Sequence, residues 1–104
     1  MSKYMDLPVA VAQFTVTDKP ERNLEIIDGF ARDAIASGAR LLVLPEGLIA
    51  RRGDGDSYAA AHAQPLNGPF VTGLRRISAQ RHITLMGTVH VCLLYTSPSP
   101  RDAT

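Results

Sequence analysis

Cysteine is nearly absent from this chain. Cys92 stands alone among 104 residues, so no internal disulfide framework can form. Charge of one sign is also missing. Eleven Lys and Arg face ten Asp and Glu, a formal net charge of +1, which leaves no basic excess to attract nucleic acid or an anionic membrane. No apolar run approaches the ~18–20 residues that a spanning helix needs. The opening MSKYMDLPVAVAQFTV has no signal-peptide core ahead of a cleavage site. These absences together predict a cytoplasmic protein with neither a nucleic-acid nor a membrane partner. Glycine is missing from TVTDKPE, after the first β-rich run, which weakens a nucleotide-binding reading. His62, His82 and His90 lack metal-ligand spacing. DGDSY starts like a calcium loop but lacks its glycine at position six and glutamate at position twelve. No metal or cofactor is expected.

What is present is an ordinary globular composition, 45% apolar and 20% charged, of a length that suits one domain at most. PVAVAQFTV, residues 8–16, is β-rich and bounded by Pro8 and the polar TDKP, and is read as a first strand. A helix is expected from about 20 to 37. Thr17 or Asp18 is placed to cap it, and Pro20 and Glu21 suit its first turn. Leu24, Ile27, Ala31, Ala34 and Ile35 make its apolar stripe, and Gly38 offers a left-handed stop. RLLVLP follows, with an unbroken apolar run that fits a parallel strand covered on both faces. Residues 51–66 read as a polar loop with a helical turn at SYAAAHA. A second helix restarts near Pro69, with Phe70, Leu74 and Ile77 inward and Arg75, Arg76 and Arg81 toward water. HITLMGTVHV, residues 82–91, is a third strand. The order β-α-β-α-β implies parallel pairing.

The last residues depart from this pattern. After Val91 the chain reads CLLYTSPSPRDAT, where strand periodicity stops and two Ser-Pro steps prevent regular structure. This string resembles the conceptual translation of a sequencing-library adapter. The expected division is therefore a partial domain over 1–91 and a non-native, disordered tail over 92–104.

The most informative segment is LLVLPEGLIA, residues 41–50, where Pro45 and Glu46 follow directly on a buried-type strand. With AQFTV, which carries Gln13, with the Asn23–Leu24 pair early in the first helix, and with the later QPLNGPFVTGLRRISAQRHITLMGTV, it resembles the N-terminal third of the nitrilase, or carbon–nitrogen hydrolase, superfamily. The resemblance covers about residues 8–91. VLPEGLIAR and LRRIS look most like bacterial amidases of the deaminated-glutathione type. The resemblance implies an α/β fold in which this chain is the N-terminal β-α-β-α-β portion of an α-β-β-α sandwich. It also implies hydrolysis of amide or nitrile C–N bonds by a glutamate, a lysine and a cysteine, with Glu46 at the glutamate position.

The family's lysine follows the third strand, and its cysteine lies further on in a glycine-flanked setting. Here lysine stands only at positions 3 and 19, and Cys92 is followed by LLYTSP, so neither is matched. The expectation is a small-molecule amide or nitrile substrate for the parent protein, which is expected to form a homodimer or higher homo-oligomer, and no hydrolysis by this polypeptide alone. Apolar neighbours are expected to shield Glu46. Arg51 and Arg52 are candidates to meet a substrate carboxylate, against a plain solvated role. Gln13 is read either as a buttress of the site or as a structural hydrogen-bonding residue. RGD, formed by Arg52, Gly53 and Asp54, matches an adhesion tripeptide by coincidence. The alternative reading is a small Rossmann-like or flavodoxin-like ligand-binding module with a native Ser-Pro tail, but it needs anion-binding turns that the sequence lacks.

Overall fold

A computed structural model describes residues 7–52 and 61–89 of the chain. Five elements follow in order: β1 (Val9–Val11), α1 (Pro20–Ala36), β2 (Leu41–Val43), α2 (Pro69–Arg81) and β3 (Thr84–Met86). The strands form one parallel sheet with β2 in the centre. This is the small α/β arrangement expected from the element order. SYAAAHA and the RGD glycine and aspartate fall mostly or wholly outside the described residues, as do His90, Cys92 and the tail.

The register puts Ala10, Leu42 and Leu85 in one row, with Val9, Leu41 and Thr84 before it and Val11, Val43 and Met86 after it. Because side chains alternate across a strand, the Ala10–Leu42–Leu85 row faces the helices. Leu42 is buried there with Ile27, Ala31, Phe70 and Ile77 from the two helices. The flanking rows face the other way. On that side Val9 is 50% exposed, Val11 62% and Met86 55%, so an apolar face lies open.

The strands are shorter than expected, three residues each instead of stretches over 8–16, 40–45 and 82–91. Apolar residues beyond their ends are buried without continuing the ladder. Ala12 and Val16 pack into the core after β1, and Leu44 and Leu48 after β2. Single bonds prolong the pairing: Ala12 N to Val43 O at 2.9 Å and Leu44 N to Met86 O at 2.8 Å.

Helix α1 starts at Pro20, whose fixed φ suits a first position. Its N-cap is Lys19, not Thr17 or Asp18, and no side chain caps it. The Thr17 hydroxyl instead meets the Lys19 backbone and the Asn23 side chain. The buried stripe is Asn23, Ile27, Ala31 and Ala34, whereas Ile35 is 37% exposed. The helix ends as expected at Gly38, with φ +88° and Ala39 N reaching back to Ala34 O at 2.9 Å. Helix α2 ends on His82 at φ 55°, where Ser78 and Ile83 exchange bonds: Ile83 N donates to Ser78 O, and Ser78 Oγ donates to Ile83 O.

The helices touch through close packing. A Cβ on Gly73 would lie 2.6 Å from Leu24 Cδ1. At the far end of α2, Arg81 stays partly exposed but grips Asp28 across the helix pair with two 3.0 Å bonds.

Candidate functional site

In parallel sheets, ligand sites gather where the strands' carboxyl ends open into loops. At that edge three segments converge: Ala12–Thr17 after β1, Leu44–Arg52 after β2 and Gly87–Val89 after β3. The central segment is stitched to both neighbours. Leu48 N donates to Thr88 O at 3.4 Å, and Arg51 N donates to Thr17 O at 2.8 Å.

Glu46 occupies the bend of this central segment. Leu44 and Leu48 on either side of it are buried, and Gly47 takes a left-handed φ of +63°. The bend turns both leucines inward and leaves Glu46 exposed. The apolar shield expected around the carboxylate is therefore not supplied by the described residues. Glu46 is held at the rim of the sheet's central strand, open to solvent. Gln13 is likewise exposed, and among the described residues it has no hydrogen bond to Glu46.

The two arginines differ. Arg51 is exposed and contributes its backbone amide to Thr17. Arg52 places its guanidinium 2.8 Å from Asp18 Oδ2. That hydrogen bond holds the Asp18 carboxyl below the usual carboxylate range. Arg52 is thus brought to Asp18 in the turn before α1.

One residue of this edge is not evident from charge or periodicity. Asn23 is fully buried in the first turns of α1. Its Oδ1 accepts from Thr17 N and lies 2.8 Å from Thr17 Oγ1. Its Nδ2 donates to Thr17 O at 3.2 Å, Leu48 O at 3.2 Å and Ile49 O at 3.0 Å. The sequence signal was its place in a helical stripe otherwise apolar, where an unpartnered amide would be costly. Gly87 is a second such residue. A Cβ there would lie 2.8 Å from Leu48 Cδ1 and 3.1 Å from Leu44 Cβ, so only glycine lets the end of β3 approach the central loop this closely.

Two concavities flank these elements. An apolar groove of about 300 Å³ follows the β3 edge, lined by Leu44, Leu48, Leu66, Val71, Leu74 and Val89 among others. A more open cleft of about 690 Å³ lies at the opposite end of the strands, beside Pro8, Arg40, His82 and Thr84. Glu46 lines neither. Among the described residues no three His, Cys, Asp or Glu side chains are grouped to hold a metal, and no helix is long and apolar enough to cross a membrane.

Comparison with known proteins points to hydrolases. The deaminated glutathione amidase of Escherichia coli O157:H7 is 39% identical over 83 residues, covering 80% of this chain and 32% of that protein. Proteins named as hydrolases from two strains of Mycobacterium tuberculosis are each 33% identical over 78 residues, covering 75% of this chain and 27% of theirs. The chain thus spans about a third or less of the length of the curated relatives it matches. No family profile matches it.

Proposed function

We propose that this chain carries the base-bearing first part of a carbon–nitrogen hydrolase and that the complete protein cleaves amide bonds with Glu46 as its general base. The observation that supports this reading is the position of Glu46, just past the end of the central parallel strand and inside the stretch shared with an amidase. An 83-residue match in a 104-residue chain includes position 46 wherever it begins.

The chemistry explains why a carboxylate belongs there. An unactivated amide is a poor electrophile, so the reaction needs a thiolate and a stabilised oxyanion. The glutamate takes the proton from a cysteine thiol, and sulfur bonds to the amide carbon. The C–N bond then breaks, and the amine leaves with that proton. The resulting thioester is hydrolysed by a water that the same carboxylate deprotonates, which restores the thiol. The cysteine and lysine of this scheme match no position here, so the 104-residue chain by itself is inactive in this reading.

Of the two arginines, Arg51 is the one proposed to meet a substrate carboxylate, because Arg52 already faces Asp18. This fits an amide substrate that carries an acidic group, the kind suggested by the name of the amidase relative.

The test is Glu46→Gln in a full-length protein that also carries the cysteine and lysine. Hydrolysis of a carboxylate-bearing amide should fall by at least about 10²-fold. An unchanged rate refutes the assignment. Arg51→Ala in the same protein should raise KM with little change in kcat.

A further inference from the structure

Glu46 is an exposed side chain on a bend, yet the bend itself is fixed at both ends. On the near side Leu44 N is bound to Met86 O at 2.8 Å. On the far side the Leu48 and Ile49 carbonyls point to one donor, the Asn23 amide. We propose that Asn23 is the positioning residue of Glu46: an amide clamp that ties the loop after β2 to the first turns of α1 and to the segment after β1. Its relevance to catalysis rests on the function proposed above, whereas the clamp itself rests on geometry alone.

The residue type matters. The site asks one side chain to accept from Thr17 N and, on its other branch, to donate to the carbonyls of Thr17, Leu48 and Ile49. A primary amide does both, with one acceptor oxygen and two donor hydrogens. A carboxylate keeps the first half and loses the second. An apolar side chain loses both and leaves buried backbone groups unpaired. Glutamine carries the right groups on a stem one carbon too long for a residue with no exposed surface. Asn23 also stands where the helix has no side-chain cap, so its polar atoms serve the loops and not the helix terminus. Thr17 completes the clamp from the other side. Its carbonyl takes both Asn23 Nδ2 and the Arg51 amide, joining the two loops at one oxygen.

This arrangement separates a local effect from a global one. The amides of Leu48 and Arg51 are bonded on either side of the clamped carbonyls, and Thr17 N reports the accepting half. Amides inside α1 and α2, such as those of Ile27 and Ile77, report general stability. The experiment is residue-resolved amide exchange on the full 104-residue chain and on two variants. In Asn23→Ala, exchange at Leu48, Arg51 and Thr17 should quicken by about tenfold or more relative to Ile27 and Ile77. In Asn23→Asp, a residue well tolerated early in a helix, Leu48 and Arg51 should quicken while Thr17 stays slow. Equal acceleration at all sites in the Asp variant would reduce Asn23 to a general stabiliser and overturn the proposal. So would unchanged exchange at Leu48 and Arg51, or a wild-type chain in which Arg51 is unprotected. If Glu46→Gln leaves hydrolysis intact while these amides respond as described, the clamp stands and only the role assigned to Glu46 falls.

Discussion

Gly47 holds a left-handed conformation immediately after Glu46, and an added Cβ would meet nothing within 4 Å. The cost of replacing it is therefore backbone strain alone. Gly47→Ala should destabilise the chain by about 1 kcal/mol, and Gly47→Asn by less, since asparagine tolerates this region better. Equal thermal midpoints for wild type and the alanine variant would contradict this. Gly87 differs, because its constraint is space. Gly87→Ala drives a methyl into Leu48 and Leu44 and should cost about 1–3 kcal/mol through overpacking. Truncating Leu48 to alanine in the same chain should recover part of that loss, a coupling that a double-mutant cycle in denaturant would measure. Glu46 was legible because a charge after an unbroken apolar run is conspicuous. Asn23 was noticed only as part of the Asn23–Leu24 pair, and its bonding role was not legible, because periodicity marks a buried face by its apolar members and passes over the one polar residue within it. Its partners are backbone carbonyls 25 and 26 residues away, which no local pattern announces.

Between elements, the joint that counts most is Asp28 with Arg81. The bidentate contact ties α1 to α2, and the Arg81 guanidinium holds the Asp28 carboxyl below its ordinary value of 3.8. A depressed carboxylate contributes its stability in full above the unfolded value and loses it as pH falls through the folded one. Both side chains are more than a third exposed, so the contribution is about 0.5–1 kcal/mol. Asp28→Asn should lower stability by that amount between pH 5 and 8, and the difference from wild type should close below about pH 4. A constant difference down to pH 2 would refute the assignment. The helices were read from sequence almost to the residue, since Pro20, Gly38 and Pro69 punctuate them directly. The strands were read too long. Alternation of apolar and polar residues reports burial, and at Ala12, Val16, Leu44 and Leu48 burial continues after pairing has stopped. Arg81 was read as solvent-facing because a helical wheel shows which face is polar but not which neighbour stands opposite.

For the whole molecule, the uneven dressing of the sheet decides behaviour in solution. Both helices cover one side, and Val9, Val11 and Met86 stay half or more exposed on the other. Contiguous apolar surface of this kind drives association. Sedimentation of the 104-residue chain should show species that grow with concentration. V11T/M86T, which places a β-former at both positions while removing apolar area, should shift the distribution toward monomer. An equally associated double variant would show that this face is not responsible.

Spatial order in the sheet matches order along the chain, with each strand beside the one made just before it. During synthesis every new element therefore finds its docking site already emerged from the ribosome, and none must wait for a distant segment. Chains built in this way can assemble vectorially, one strand-and-helix step at a time. The carboxylate-bearing bend would then take shape once α2 and β3 have emerged.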